Sequence, residues 1–297
     1  MSGAERYLSI CAVYRDEGPY LREWVAFHRL VGVERFYLYN NRSSEDGHRE
    51  ALAPYVEDGT VVLHEWPDCL PPDVVTGEAT QTATYEHCLQ HHKDESRWIA
   101  FIDLDEFLFS PTGRPLPEVL SEYERWPGVG VNWCMFGASG HTSQPEGLVT
   151  ESYVRRTDEP SHNRAIKCVV DPQRVRNFCL AHFFLFHGEP PVVVDENHSP
   201  VDARLGSPFS KTDEVSFERL RVNHYVTRSE EEFRRKQSRV RVDNGRPWDL
   251  SENQIVRLLK VLEKVEDRTI QMYLPALREE LSRLERDNSS RNRSGSA

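Results

Sequence analysis

The sequence predicts an α/β fold with a mixed central sheet, because strand-length apolar runs alternate with amphipathic helical segments over residues 1–110. Helices on both faces of a largely parallel sheet would explain why these strand segments are almost continuously apolar. A second observation is that polar clusters follow three of the strands, at Arg15-Asp16-Glu17, Asn40-Asn41 and Asp103-Leu104-Asp105. Ligands of such sheets bind beyond the carboxyl ends of the strands, so we expect these clusters to converge on one site.

Hydrophobic periodicity places the elements of the first half. Strands are predicted at 7–14, 33–39, 60–64 and 98–102, with helices at 18–31, 45–56 and 78–92 and a Pro-rich loop at 67–73. The first helix opens at Gly18-Pro19, because proline is favoured in a first turn, where its missing N–H is no loss. One apolar face of this helix carries Leu21, Trp24, Val25, His28 and Val31.

The second half is predicted to contain a helix at 116–126 and a strand at 129–136, then β-like runs at 147–155, 163–170, 180–187, 191–194 and 219–226. Ser229 and Glu232 have the capping-box spacing that opens a helix. Residues 251–285 are predicted to be mostly helical with a bend near Pro275, and residues 287–297 to be a disordered tail. No linker divides the chain, which predicts a single domain over 1–286, with a first half (1–110), a second half (111–245) and a helical extension (246–286).

The composition is that of a folded globular protein without a nucleic-acid-binding face. Hydrophobic residues make up 38% and charged residues 29% of the 297 residues. The net charge is −11 and no basic run stands out, so we expect no nucleic-acid partner. No run reaches the ~20 apolar residues that span a bilayer, so we expect no transmembrane segment, and Met1–Arg6 is too polar to begin a signal peptide. The six cysteines have no CxxC spacing and are interpreted as reduced, which predicts a cytoplasmic protein.

The strongest local feature is the pair Asp103 and Asp105, directly after the apolar strand segment Trp98–Ile102. Two carboxylates at this spacing at a strand end can share one hard divalent cation, Mn²⁺ or Mg²⁺, which also binds phosphates. The alternative is that one aspartate caps a turn and the other is solvated. The flanking apolar strand and the following Glu106-Phe107-Leu108-Phe109 favour a metal and diphosphate site, in which the cation neutralises a leaving group.

The sequence resembles the GT-A glycosyltransferases, and within them glycosyltransferase family 92 and its bacterial relatives in the broad family 2 grouping. Six segments carry this resemblance over roughly residues 7–240: Arg15–His28, Phe36–Asp46, Gln81–Leu89, Trp98–Leu108, Trp133–His141 and Asn223–Lys236. Two departures stand out. Arg15-Asp16 replaces the Lys-Asn often found there, and the membrane anchor of the eukaryotic members is absent, which suggests a bacterial-type cytoplasmic enzyme.

The resemblance implies a GT-A fold and assigns roles by matched position. Asp103 would face the ribose or the metal, Asp105 would be the more direct metal ligand, and His224 is a candidate third ligand whose alternative is a structural histidine. The expected nucleotide-sugar contacts are Val13, Tyr14, Arg15, Glu17, Asn41, Asp46, Gln81, Asp103, Leu104, Lys167 and Lys236. Lys167, Lys236 and Arg164 would offset diphosphate charge, although a solvated surface position is the more ordinary reading of each lysine and arginine. The expected acceptor contacts are Trp133, Phe136, Gly137 and His141, with core packing as the alternative for Trp133.

The catalytic base is left among four candidates. An inverting transferase needs a carboxylate or histidine that deprotonates the acceptor hydroxyl. His141, Glu146, Glu151 and Asp158 are available in the second half, and the sequence favours none of them.

Three other classes compete with this interpretation. A haloacid-dehalogenase-type phosphatase has Gly-Thr where Glu106-Phe107 stands, and its motif follows the first strand instead of the fourth. A nucleotidyltransferase generally carries a Gly-rich phosphate loop after the first strand, and Tyr14–Gly18 is not such a loop. This class also binds a metal ion and a diphosphate, so it remains an alternative. A non-catalytic sugar-binding module would bind nucleotide without metal.

The sequence and the resemblance together predict a metal-dependent transfer of a hexose from a nucleoside diphosphate sugar to a hydroxyl acceptor, with inversion. By resemblance the nucleotide is UDP. A glycan, a lipid-linked sugar and a small natural product all stay open as acceptors, and so do the donor sugar and the oligomeric state, a homodimer included.

Overall fold

The computed structural model describes residues 5–44, 46–66, 81–180, 182–190, 192–201, 211–238 and 250–294, with residues 178–180 and 288–294 as backbone alone. The strands in these ranges are β1 (Arg6–Tyr14), β2 (Arg35–Asn41), β3 (Val61–Trp66), β4 (Ser96–Phe101), β5 (Glu106–Phe109), β6 (Gly128–Met135), β7 (Arg155–Arg156), β8 (Ile166–Val170), β9 (Val175–Leu180), β10 (Phe183–Phe186), β11 (Val193–Val194), β12 (Arg221–His224) and β13 (Val265–Glu266). The helices are α1 (Gly18–Leu30), α2 (His48–Glu57), α3 (Gln81–His92), α4 (Leu116–Leu120), α5 (Val149–Ser152), α6 (Pro160–Asn163), α7 (Glu230–Gln237), α8 (Glu252–Val261) and α9 (Leu274–Ser294).

The central sheet is mixed, which confirms the predicted α/β class. Its strand order is β3-β2-β1-β4-β8-β6-β12-β5, with β11 paired to β6. β1 to β4 form a parallel group, whereas β8 pairs antiparallel with both β4 and β6, and β12 pairs antiparallel with β5. The carboxyl ends of β1, β2 and β4 therefore lie along one edge, as the sequence predicted.

Strand β1 shows how the sheet separates two layers of core. Its residues alternate between the faces. Leu8, Ile10 and Ala12 pack in the core cluster that includes Trp24 and Phe27 of α1, whereas Cys11 and Val13 pack in the cluster that includes residues of α3.

His28 fixes α1 to the sheet. It is fully buried, its Nδ1 lies 2.8 Å from the Trp24 carbonyl one turn earlier, and its Nε2 accepts the Leu108 N–H at 3.1 Å. This histidine, part of the matched opening segment, therefore joins α1 to β5.

Several predicted elements differ from the structure. Residues 147–155 were expected as a strand run, but this stretch contains the short helix α5 and the start of the two-residue strand β7. Buried Glu23 explains the helix, because its carboxylate accepts the N–H groups of Val149 and Thr150 at 2.8 and 3.0 Å at the start of α5.

The C-terminal helical region also differs. Residues 251–285 are mostly helical as predicted, but in place of a bend near Pro275 the helix α8 ends at Val261 and α9 begins at Leu274, so Pro275 lies in a first turn, where proline is tolerated. The backbone of 287–294 continues α9, in contrast to the predicted disordered tail.

The Pro-rich loop 67–73 and the predicted helix start at 78–80 lie outside the described residues.

The capping box of Ser229 and Glu232 is confirmed. Cys11, Cys88, Cys134 and Cys168 are buried free cysteines, as expected of reduced thiols. No helix in the described ranges is both long enough and apolar enough to cross a membrane.

Candidate active site

The predicted site lies in the turn that joins β4 to β5. The Asp103 N–H donates to the Glu106 carboxylate at 2.8 Å, and the Glu106 N–H donates back to the Asp103 carbonyl at 3.1 Å. These reciprocal bonds fix a tight turn. As a result Asp103 and Asp105 are held at the carboxyl end of β4, at the edge of the sheet where the loops after β1 and β2 also lie.

Asp103 is bound by side chains from two other elements. Its Oδ2 lies 2.8 Å from Nζ of Lys167 on β8, and its Oδ1 accepts a hydrogen bond from the Gln81 amide at the start of α3. The Lys167 side chain is only 1% exposed. The reading of Lys167 as a solvated surface charge is therefore wrong, and this lysine is a buried counter-ion of Asp103.

Asp105 is more enclosed than a carboxylate at a solvent edge, because only 8% of the residue is exposed. Its Oδ2 lies 2.5 Å from Nζ of Lys236 on α7, and its Oδ1 lies 3.6 Å from Nε2 of His224 on β12. Burial disfavours the ionised form, but Lys236 and His224 outweigh burial and hold the pKa of Asp105 well below its usual range. Asp105 is therefore ionised.

Glu106 is a site residue that the sequence analysis did not single out. It is fully buried, 3.5 Å from Nζ of Lys167 and 3.8 Å from Nδ1 of His224. Burial raises the pKa of this carboxyl to about 7, although the cations beside it oppose the shift. The available signal was a charged residue inside an otherwise apolar run, which indicates a buried and paired carboxylate.

The donor set suits a divalent cation only in part. The 3.6 Å gap between Asp105 Oδ1 and His224 Nε2 is too long for a strong hydrogen bond, and one oxygen and one nitrogen are suitable ligands for Mn²⁺. Glu106 Oε1 and His224 Nδ1 are buried side-chain atoms without a hydrogen-bond partner. Within the described ranges, no three His, Cys, Asp or Glu side chains are arranged as a complete metal site. Asp105 and His224 thus fit as two ligands, with substrate phosphate and water left to complete the coordination.

An open cleft adjoins Asp105. Arg228 forms much of its wall: its guanidinium lies 3.5 Å from the centre of the Tyr20 ring and donates to Glu17 at 2.6 Å. Arg235 and Lys236 of α7 also line the cleft. Together with the carboxylates of Asp16, Glu17, Asp105 and Glu232, these three cations give the cleft a lining of mixed charge.

The predicted nucleotide contacts after β1 and β2 are drawn together by hydrogen bonds. Asp46 accepts the Gly18 N–H at 2.7 Å and lies 2.6 Å from Nδ1 of His48. Val13 and Tyr14 are buried in β1, Arg15 is exposed, and Asn41 is half-buried at the end of β2. Leu104 is buried within the turn, and its carbonyl faces Arg228 at 3.5 Å.

None of the four predicted acceptor residues is among the residues that line the cleft. Trp133 lies against the site, with its ring 4.5 Å from that of His224. Phe136 is fully buried 4.9 Å from Tyr225, and a Cβ on Gly137 would meet Glu263 at 2.5 Å, so both positions are packed in the protein. His141 lies 3.2 Å from the Ser152 carbonyl through Nε2.

Glu146, Glu151 and Asp158, the other candidate bases, are not among the residues that line the cleft, and neither is His141. Glu151 is bound by Arg278. The carboxylates that do line the cleft beside Asp105 are those of Asp16, Glu17 and Glu232. Glu232 accepts hydrogen bonds from Tyr20, Tyr153 and Ser229. The geometry favours none of the four predicted bases, and their role stays a prediction.

Comparison with known proteins links this site to one family. The family model of Glycosyltransferase family 92 matches residues 6–243, a stretch that includes Asp103, Asp105, His224 and Lys236. A glycosyltransferase family 92 protein of Arabidopsis thaliana is 32% identical over 176 residues, which cover 56% of this chain and 29% of that protein. A galactan beta-1,4-galactosyltransferase of the same plant is 30% identical over 108 residues, covering 36% of this chain and 21% of that protein. The chain thus matches less than a third of the length of these curated relatives.

Among solved structures, glucosyl-3-phosphoglycerate synthase from Mycobacterium tuberculosis, in complex with Mn²⁺, UDP and glucosyl-3-phosphoglycerate, is similar over 43% of this chain and 44% of that chain. The two chains are 19% identical with a TM-score of 0.29. Since the overlap is this partial, we infer nothing about ligands from it.

Proposed function

The chain belongs to glycosyltransferase family 92, and on that premise we propose that it transfers a hexose from a nucleoside diphosphate sugar to a hydroxyl group of an acceptor. The observation that carries this proposal is the Asp103–Asp105 turn. Both carboxylates are held at the sheet edge where ligands of α/β folds bind, and each is paired with a lysine, of which Lys236 is exposed enough to contact a phosphate as well. The cleft beside Asp105 adds Arg228 and Arg235.

The proposal includes one divalent cation, Mn²⁺ or Mg²⁺. Asp105 Oδ1 and His224 Nε2 would hold it, with Asp103 on the same turn. When bound, it would supply Lewis-acid neutralisation of the diphosphate leaving group.

Lysine and arginine side chains of the protein would also neutralise the charge of the diphosphate leaving group. Lys236 is 38% exposed, and its side chain can turn from Asp105 towards a phosphate oxygen in the cleft. Lys167 cannot turn towards the cleft in this way, because it is buried between Asp103 and Glu106. It instead holds these two carboxylates in place. Arg228 would orient the donor through its guanidinium, which the stacked Tyr20 ring and Glu17 hold in one position.

The family resemblance supports UDP as the nucleotide and inversion as the stereochemical course. The similarity to a galactan beta-1,4-galactosyltransferase supports a glycan hydroxyl among the three acceptor classes and galactose among the hexoses. The glycan proposal predicts that oligosaccharides, more than lipid-linked or small aromatic acceptors, accelerate release of UDP from a UDP-sugar.

The test is a turnover assay with a panel of UDP-sugars and acceptors, in Mn²⁺ and in EDTA. We expect Asp105→Asn to lose activity, whereas Asp213→Asn, which alters an exposed carboxylate that is 80% accessible, retains it. Release of a nucleoside diphosphate supports the transferase, and release of pyrophosphate would instead identify the nucleotidyltransferase left open by the sequence. Wild-type turnover by Asp105→Asn would contradict the proposed role of the turn.

A further inference from the structure

Four histidines meet between the edge strand β3 and helix α3, away from the site described above. They are His64 of β3 and His87, His91 and His92 of α3, and we refer to them as the His cluster. Neighbouring ring centres in the cluster lie 4.2 to 5.4 Å apart along the series His91, His87, His64, His92. Gln81, which contacts Asp103, is at the opposite end of α3, so His92 lies about 16 Å further along the helix axis.

The central pair in this cluster has the spacing of two ligands on one metal ion. The Nε2 atoms of His64 and His92 lie 3.3 Å apart. With metal–nitrogen bonds of about 2.0–2.1 Å, this separation corresponds to an angle of roughly 104–111° at the metal, close to the tetrahedral value. In the structure one of these two nitrogens donates a hydrogen bond to the other, and a metal ion held by both would take the place of that hydrogen.

A carboxylate holds His92 in the tautomer that binding requires. Glu95 Oε1 lies 2.7 Å from Nδ1 of His92, and Glu95 Oε2 accepts a hydrogen bond from the Tyr37 hydroxyl at 3.0 Å. The carboxylate accepts, so Nδ1 of His92 carries the hydrogen, and its Nε2 lone pair accepts the hydrogen bond of His64 that a metal ion would replace. A carboxylate behind a metal-ligating histidine is the usual arrangement in protein metal sites.

Among the described residues no three His, Cys, Asp or Glu side chains are placed to hold a metal ion as they stand, so a third ligand requires a side-chain rotation. His87 lies on α3 with its ring 5.2 Å from that of His64, and its Nδ1 is 2.9 Å from the Tyr39 hydroxyl, which leaves Nε2 for a ligand. His91 follows His87 by four residues on the same helix face, and it is exposed, so the cluster opens to solvent on that side.

We propose that the His cluster binds one borderline divalent ion, with Zn²⁺ as the reference metal. The ligands are Nε2 of His64 and of His92, with His87 joining by rotation of its side chain and water in the fourth position. His64 then carries its hydrogen on Nδ1. Imidazole nitrogen prefers Zn²⁺, Ni²⁺ and Cu²⁺ to Mg²⁺, which separates this site from the oxygen-rich turn at Asp105. The ion would tie the edge strand β3 to α3.

The test is calorimetric titration of the untagged, metal-stripped full-length protein with Zn²⁺, repeated in saturating Mg²⁺ to occupy oxygen sites. We expect one equivalent to bind and the melting temperature to rise. Glu95→Gln removes the carboxylate that orients His92 and should weaken Zn²⁺ binding by about 10–100-fold. His64→Gln keeps a hydrogen-bond donor for His92 but removes a metal ligand, so it should weaken Zn²⁺ binding by more than this.

His162→Gln is the matched control, because His162 lies on α6, outside the cluster. It should leave Zn²⁺ affinity unchanged. Visible absorption of the Co²⁺-loaded protein tests the same site independently of stability. We expect the intense bands of tetrahedral Co²⁺ in the wild type and weaker bands in His92→Gln. Equal Zn²⁺ affinity in wild type, His64→Gln and His92→Gln would overturn the proposal, as would absence of binding. Loss of binding in Asp105→Asn with retention in His64→Gln would move the ion to the β4–β5 turn.

Discussion

The ammonium of Lys236 lies 2.5 Å from the Asp105 carboxylate, although the two residues are 131 positions apart in the chain. Two contacts bring them together. β12 pairs with β5, and the Tyr225 N–H that follows β12 donates to the Asp105 carbonyl at 2.8 Å. α7 then starts at Glu230 and carries Lys236 back over the turn. The second half of the chain thus supplies a cation to a carboxylate of the first.

Replacing Lys236 by Met should weaken binding of a nucleoside diphosphate while leaving the fold intact. One charge-assisted hydrogen bond is worth about 1.5–3 kcal/mol, which corresponds to roughly 10–100-fold in affinity. Because Asp105, which is only 8% exposed, loses its cation, the free energy of unfolding should fall by about 1–3 kcal/mol. Calorimetry and urea denaturation measure the two effects, with Lys260→Met on the exposed side of α8 as the control. Unchanged affinity would remove Lys236 from the site.

Replacing Lys167 by Met should instead destabilise the protein. The substitution leaves Asp103 and fully buried Glu106 without their cation, and breaking a buried pair in this way costs about 3–5 kcal/mol. Adding Glu106→Gln to the same chain should recover part of that loss, because the most deeply buried charge is then gone. Urea unfolding of the two variants beside Lys260→Met measures the difference. A cost below about 1 kcal/mol would show that the pair is not formed in solution.

His28 should make the stability fall in acid. Burial lowers the pKa of His28 from 6.5 to about 3, because its neutral ring is enclosed between α1 and β5. Below pH 6.5, His28 therefore binds a proton in the unfolded chain but stays neutral in the folded chain. The free energy of unfolding falls as the pH is lowered from 6.5 towards 3. From pH 7 to pH 4.5 the contribution is on the order of 2–3 kcal/mol.

The variant His28→Gln isolates this effect from that of other buried histidines. It should be less stable at pH 7, but its unfolding free energy should fall less steeply between pH 6.5 and 4.5 than that of the wild type. Parallel slopes for the two proteins over this range would mean that His28 does not titrate as proposed.

Gly18→Ala should be destabilising although alanine favours helices. Helix propensity alone would add about 1 kcal/mol of stability. However, a Cβ at this position would lie 2.1 Å from the Asp46 carbonyl oxygen, and forced overpacking typically costs about 1–3 kcal/mol. The displaced loop would also carry Asp46 away from α1 and weaken donor binding. Thermal unfolding measures the change, with Gly147→Ala as the comparison, because a Cβ there would meet the movable side chains of Ser152 and Glu151. A stability gain would contradict the packing shown here.

The first half of the fold could be predicted because its signals are local. β1 to β4 start and end within two residues of the predicted positions, since continuous apolar runs with polar ends mark buried strands. Asp103 and Asp105 were found for the same reason, as they directly follow β4. The error at 147–155 has a tertiary cause: Glu23, 126 residues earlier, caps α5 and overrides the local pattern.

The pairing of Asp103 with Lys167 and of Asp105 with Lys236 could not be predicted from the sequence. Lys167 reaches Asp103 only because β8 runs antiparallel to β4 with Phe101 opposite Cys168, a register that composition does not encode. Arg228 was missed as well, although it immediately precedes the capping serine of α7. The acceptor roles of Trp133 and His141 and the identity of the base stay predictions.

The most direct test of the central claim is calorimetry of UDP with the wild-type protein in Mn²⁺ and in EDTA, together with Asp105→Asn in Mn²⁺. A glycosyltransferase site at the Asp103–Asp105 turn predicts binding that needs both the metal and Asp105. Asp105→Asn should fold, with a loss of about 1–3 kcal/mol from the altered contact to Lys236. UDP binding of equal affinity in EDTA, or in Asp105→Asn, would contradict the claim.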